Sequence, residues 1–207
     1  MDAFSCAACP RRCGALRKPA QPSGGFCGMP AGFVVARAAL HQWEEPCISG
    51  QHGSGTVFFS GCSLRCVYCQ NQQISLGRYG ALVTEENLLR MFDRLIEQGA
   101  HNLNLVNPTH YAPMLAKALK KYCSPVPVIY NSGGYERVEM LKALEGLVDI
   151  YLPDLKYVDS AVSLRYSGAA DYFDYASKAI LEMSRQVGKA TFDENGVMKK
   201  GLIVRHL

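Results

Sequence analysis

Long apolar runs are missing from this chain: none approaches the ~18 consecutive apolar residues of a membrane span, so no membrane partner is expected. The opening residues, MDAFSCAACPRRCG, contain no apolar stretch of the kind a secretory signal requires, which favours reduced thiols and a cytoplasmic setting. Cysteine is too sparse for a disulfide scaffold, since nine in 207 residues is about 4%, below the ~8–10% of such chains. The odd number also rules out complete pairing within one chain. Acidic residues are absent from Ala3 to Trp43, a stretch that carries Arg11, Arg12, Arg17, Lys18 and Arg37. The whole chain has 22 basic and 18 acidic residues, a net charge of +4 too mild to indicate nucleic acid. With 48% hydrophobic and 19% charged residues the composition excludes disorder, and the length fits one domain, or one domain plus a small appendage. No internal repeat is visible beyond a β–α alternation.

What is present is cysteine in two groups. Cys6, Cys9, Cys13 and Cys27 fall in a Pro/Gly-rich segment with few apolar side chains, which needs a staple to be ordered. Four thiolates close a tetrahedral metal site, suited to structural zinc or to an iron–sulfur centre, and the nearby Arg11, Arg12, Arg17 and Lys18 offset their charge. Cys62, Cys66 and Cys69 form the second group. Cys47 and Cys123 stand apart and read as plain buried thiols.

From residue 55 onward strands and helices alternate. TVFFSG (56–61), NLNLV (102–106), VPVIY (126–130), VDIYL (148–152) and LIVRHL (202–207) read as strands. Helices are expected after Thr84 as N-cap, around Ala112–Leu119 with Pro113 in the first turn, and over 136–145, 160–167 and 171–187. Asn195-Gly196 marks a small hairpin within 192–198. Such alternation means right-handed βαβ units and a parallel sheet, either open and doubly wound or an incomplete (β/α) barrel. The expected fold class is α/β, with boundaries at 1–45 for the Cys-rich segment and 46–207 for the core. The chain stops at Leu207 inside an apolar strand, which reads as a truncation.

The spacing C-x3-C-x2-C of Cys62, Cys66 and Cys69, directly after the first strand of the alternation, offers three thiolates to three irons of a [4Fe–4S] cubane. The fourth iron is left open for the amino and carboxylate groups of S-adenosylmethionine, whose S–C5′ bond one electron then cleaves. A structural zinc site is the competing reading and needs a fourth ligand, Cys47 or His52.

C-x3-C-x-aromatic-C in this position resembles the signature of radical S-adenosylmethionine enzymes. The wider string, Trp43-Glu44-Glu45-Pro46, Ile48-Ser49-Gly50, Gly53 through Cys62 and Cys69-Gln70-Asn71, is similar to the subgroup related to pyruvate formate-lyase activating enzyme. That resemblance implies a partial (β/α) barrel, a 5′-deoxyadenosyl radical for hydrogen abstraction, a reductant such as flavodoxin or ferredoxin, and a glycyl-radical enzyme as partner. It also implies roles for residues. Tyr68 would pack beside the adenine, Asp154 and Lys156 would hold the methionyl end, and His206 would lie close to the cofactor. The subgroup's G-G-E motif after the second strand is replaced here by Leu105 to Tyr111, where Asn107 and Thr109 would supply oxygens instead. Relatives continue past Arg205-His206 into a last strand and helix. Two other readings stay open: radical chemistry on another substrate, and an inactive metal-binding remnant.

Overall fold

The structure, a computed structural model, describes residues 3–206. It opens with β1 (Phe4–Ser5) and β2 (Leu16–Arg17), an antiparallel pair, followed by β3 (Phe33–His41), the short α1 (Pro46–Ser49) and β4 (Ser54–Phe59). Then come α2 (Gln72–Ser75), β5 (Ala81–Val83), α3 (Glu85–Glu97), β6 (Leu103–Val106) and α4 (Ala112–Leu119). The order continues with β7 (Val128–Ser132), α5 (Val138–Lys142), β8 (Ile150–Leu155), α6 (Ser160–Ser167) and α7 (Tyr172–Val187). Last are β9 (Thr191–Phe192), β10 (Met198–Leu202) and β11 (Arg205–His206).

The main sheet runs β5-β3-β4-β6-β7-β8-β10-β9, with β11 also beside β8. Its middle, β4, β6, β7, β8 and β10, is parallel, while β3, β5 and β9 pair antiparallel at the margins. The strand order is an open path. Strand alternation decides where the helices go. Leu103 and Leu105 of β6, Val128 and Tyr130 of β7 and Tyr151 of β8 share one core with Leu88, Phe92 and Leu95 of α3, Leu115 and Leu119 of α4, and Met183 of α7. The residues between them, Ile129, Ile150 and Leu152, point the other way and meet Ile48 of α1 and Met198. The long helices thus lie on one face of the sheet, and not on both as in a doubly wound sheet.

Local chemistry sets the boundaries. Thr84 caps α3 as expected, its hydroxyl accepting from Asn87 N at 3.1 Å. Asp159 does the same for α6, accepting from Ala161 N and Val162 N at 2.7 and 2.9 Å. The strand expected over 202–207 is interrupted although its register is continuous, with Leu202 opposite Tyr151 and Arg205 opposite Asp154. Ile203 N still donates to Tyr151 O at 3.0 Å. The next rung would need a donor at Pro153, which has no N–H. Leu207 lies outside the described residues.

Three expectations change. β3 falls on the amino-terminal side of the boundary drawn at residue 45, yet it pairs with β4 along Val35 to His41 and belongs to the main sheet. The helix expected over 136–145 is confined to Val138–Lys142, because Arg137 is extended and Gly146 turns at φ +77°. Cys123 is exposed and Cys47 only half-buried, so neither is a core thiol. Among the described residues no helix is long and apolar enough to cross a membrane.

Candidate functional site

Cys62, Cys66 and Cys69 lie on the loop that leaves the carboxyl end of β4. Gly61 makes the exit at φ +79°, where a Cβ would stand 2.5 Å from Met29 Cγ and 3.0 Å from the carbonyl of Cys27. Only glycine fits a turn at once left-handed and this crowded. Leu64 N donates to Cys62 Sγ at 3.3 Å, and Ser167 Oγ at the end of α6 donates to Cys66 Sγ at 2.9 Å. Val67 N donates to Tyr166 O at 2.9 Å, fastening the loop to the same helix. Burial pushes the Cys62 thiol up to about 11, against the backbone N–H groups of Arg65 and Leu64 that favour the thiolate. Arg11 holds the loop from the other side. Its Nε donates to Ser63 O at 2.8 Å, Nη2 to Ser167 O at 2.7 Å and Nη1 to Gly168 O, with the guanidinium over Phe26 at 4.0 Å.

Facing this loop are the carboxyl ends of β7 and β8. A Cβ on Gly133 would stand 2.9 Å from Leu64 Cδ1 and 3.7 Å from Lys156 Cε, so the loop and Lys156 meet across this glycine. Asp154 pairs with Lys156 Nζ at 2.7 Å and with Arg205 Nε at 2.8 Å. Arg205 also donates to Asn131 Oδ1 at 2.6 Å and approaches Glu44 and Glu45 at 3.7 and 3.9 Å. Burial raises Glu44 above the usual carboxylate range, and Arg205 opposes the rise. The result is a charged ladder at the strand ends, the place where parallel sheets gather their ligands.

The remaining residues singled out by sequence are placed as follows. Tyr68 is half-exposed, its hydroxyl bonded to that of Tyr157 and its ring edge-on to Tyr157 and Tyr166. Asn107, at φ +60°, donates to the Gly61 carbonyl, and Thr109 donates to Glu136, so both side chains already have protein partners. His206 is exposed opposite Leu155, beside the strand end that carries Asp154. Neither zinc alternative joins the loop. Cys47 packs with Ile48 and its neighbours on the opposite face, and His52 N donates to His101 Nε2.

Glu136 escaped the sequence reading. It is fully buried between Thr109 and Tyr130, whose hydroxyl donates to Oε2 at 3.1 Å, and burial pushes it up to about 7. Its signal was legible as Gly133-Gly134-Tyr135-Glu136, a glycine doublet and an acid after the third parallel strand instead of the second. Arg205 and Ser167 were also missed as partners of Asp154 and Cys66. No signal in the sequence links residues so far apart.

In the amino-terminal group Cys6, Cys9 and Cys27 are buried and Cys13 is exposed. Among the described residues no three His, Cys, Asp or Glu side chains surround a point where a single metal ion would sit.

The sequence model of the Radical SAM superfamily matches residues 56–197, from β4 to the turn before β10. The match covers most of the chain and contains the three-cysteine loop and the Asp154–Lys156 strand end. The chain belongs to the Radical SAM superfamily. It is also similar to the uncharacterized protein MJ0674 of Methanocaldococcus jannaschii, 30% identical over 178 residues, which is 82% of this chain and 51% of that protein. The chain thus spans about half the length of the curated relative it matches.

Radical SAM proteins normally use a [4Fe–4S] cluster and S-adenosylmethionine. The donor set here fits that pair. Three thiols share one loop, two of their sulfurs accept hydrogen bonds as cluster ligands do, and an ion-paired Asp–Lys couple lies opposite.

Proposed function

We propose that the protein is a radical S-adenosylmethionine oxidoreductase that abstracts hydrogen from its substrate, acting as an activase of a glycyl-radical enzyme of the pyruvate formate-lyase type. The observation that carries the reading is the juxtaposition of the Cys62–Cys69 loop with Lys156 and Asp154 across Gly133. Cys62, Cys66 and Cys69 would hold the cluster, which when bound would pass on one electron from the reductant for cleavage of S-adenosylmethionine to methionine and a 5′-deoxyadenosyl radical. The chain's own residues bind and orient. Lys156 and Asp154 offer opposite charges to the zwitterionic methionyl end, with Arg205, itself held by Asn131, fixing the carboxylate of Asp154 in place. Tyr68, half-exposed beside the last ligand, offers a ring face to adenine. Thr109 is steered by Glu136, and Asn107 keeps the Gly61 exit closed. His206 stands at the rim of the same strand end. Ser167 and the backbone N–H of Leu64 polarise the cluster-ligating sulfurs.

The reductant is a flavodoxin or a ferredoxin. The activase assignment rests on the Trp43-to-Asn71 string and on the Asp154-Leu155-Lys156 strand end.

The test is anaerobic reconstitution with iron and sulfide, reduction, and measurement of 5′-deoxyadenosine from added S-adenosylmethionine. Product is expected from the wild type and none from the Cys62→Ala, Cys66→Ala, Cys69→Ala triple variant. Equal product from both would refute the reading. Product without a glycyl radical signal on any pyruvate formate-lyase type partner would remove the activase role alone.

A further inference from the structure

Two tight turns shape the amino-terminal segment. Arg12 N donates to Cys9 O at 3.1 Å and Gly28 N donates to Gly25 O at 2.9 Å. Each turn contains left-handed backbone, Arg12 at φ 41° in the first and Gly28 at φ 74° in the second. Together they fold Cys6, Cys9 and Cys27 inward, leaving them 3%, 7% and 5% exposed. Cys13 stays at the rim, its Sγ 3.0 Å from where a Cβ on Gly25 would stand, so the two turns touch there.

Beneath Cys27 lies Arg17. It is 1% exposed, one of the largest fully buried side chains, and its Nη2 donates to Cys27 Sγ at 3.2 Å. Its Nη1 is buried with no hydrogen-bond partner, and among the described residues no carboxylate pairs with it. The surroundings are otherwise aromatic, the rings of Phe4 and Tyr111 at 5.8 and 5.9 Å. A guanidinium keeps its charge inside a protein, and a neutral thiol is a weak acceptor that does nothing to balance a buried cation. A metal-bound thiolate does both. Of the basic residues that flank these cysteines, Arg17 alone turns to a sulfur; Arg11 instead holds the carbonyls of the Cys62–Cys69 loop and α6.

We infer that Cys6, Cys9, Cys13 and Cys27 hold a second, thiolate-ligated metal centre, structural in role, with Arg17 as its buried counter-charge. Each thiol gives its proton to solvent as it ligates, and no electron changes hands. Four thiolates around zinc(II), or around a [4Fe–4S] cluster in its oxidised state, carry a net charge of about −2, which Arg17 halves. Among the described residues no three of these side chains yet surround a point for a single ion, so all four draw together on binding, Cys13 from the rim.

The experiment uses the full chain with Cys62, Cys66 and Cys69 replaced by Ala, so that any metal reports this group alone and the radical reading is not involved. The protein is purified anaerobically and reconstituted separately with zinc and with iron plus sulfide. Elemental analysis and X-ray absorption at the metal edge follow. The expected result is about one zinc, or about four irons with matching sulfide, per chain in a sulfur shell. Adding Arg17→Leu should weaken retention against a chelator about tenfold or more, with Arg17→Lys recovering part of it. If the leucine variant fails to fold, the absorption spectrum with Arg17 intact still decides. Metal below about a tenth of an equivalent from both reconstitutions, or a shell without sulfur, overturns the site. Undiminished retention in a folded leucine variant overturns the role of Arg17.

Discussion

Replacing Tyr172 with Phe removes one oxygen from a junction where three backbone groups meet. The hydroxyl reaches Gly133 O at 2.9 Å and Asp154 O at 2.8 Å, and it accepts from Lys156 N at 2.9 Å. It carries a single hydrogen, so it donates to one of the two carbonyls at a time while always accepting from the amide. Burial raises its pKa, which keeps that hydrogen in place at any working pH. The ring is fully buried and its shape survives the change. The loss is therefore confined to one unpaired amide, at about 1–3 kcal/mol, and to one weakened carbonyl contact, at about 0.5–1.5 kcal/mol. The three partners are only partly buried, which favours the lower half of each range. About 2 kcal/mol is the expected sum, a thirtyfold change in the folding equilibrium. The assay is anaerobic urea unfolding of the metal-free chain followed by circular dichroism, since the single tryptophan, Trp43, is 87% exposed and reports the core poorly. The same hydroxyl ties the glycine doublet to the end of β8, so S-adenosylmethionine binding should weaken about tenfold with it. A loss below about 0.5 kcal/mol at unchanged denaturant slope, with unchanged cofactor binding, would show that the junction holds without its hydroxyl.

Two further outcomes follow from the same region. Glu136 sits near 7 in the folded chain against an ordinary 4.5, so its contribution is full below about pH 4.5 and declines as pH rises through 7, by about 3 kcal/mol in all. Urea unfolding at pH 5 and pH 8 should show a stability difference in the wild type that shrinks by about 2.5 kcal/mol in Glu136→Gln, and an identical difference in both proteins would contradict the assignment. Asp154→Ala leaves Lys156 and Arg205 without their shared carboxylate; because these side chains retain some solvent contact, the expected cost is about 2 kcal/mol, short of a fully buried pair. Isothermal titration of S-adenosylmethionine should show at least tenfold weaker binding, and wild-type affinity in a folded Asp154→Ala protein would remove Asp154 from the cofactor site.

The parallel centre of the sheet was legible because its strands are short apolar runs between turn signals, and Thr84 and Gly99 bracket α3 as capping chemistry demands. β3 was not. Its pairing with β4 shifts register between Val35 and Arg37, so the alternation of Phe33 and Val35 breaks where Arg37 begins. That Cys62, Cys66 and Cys69 share one loop after β4 was legible from spacing alone. The charged ladder was only half so. Asp154 and Lys156 lie two residues apart, but Arg205 reaches Asp154 through the register of a strand pair, and Glu136 was hidden by its position one strand later than the motif it resembles. Pairings between distant strands leave no trace in local periodicity.

Arg11 has a consequence for the order in which the molecule assembles. Its guanidinium spans 52 residues to reach Ser63 and 156 to reach Ser167. Contacts so distant along the chain form late, since loop closure must precede them. A chain emerging from its amino end exposes Cys62, Cys66 and Cys69 well before Ser167 and Gly168 exist to anchor their loop. Ser167, which polarises Cys66, arrives at the same late stage. The three thiols therefore pass through a period in which they are reachable and unrestrained. Iron delivered then would meet a pliable loop, and iron delivered afterwards would have to enter one already fastened at Ser63 and Val67.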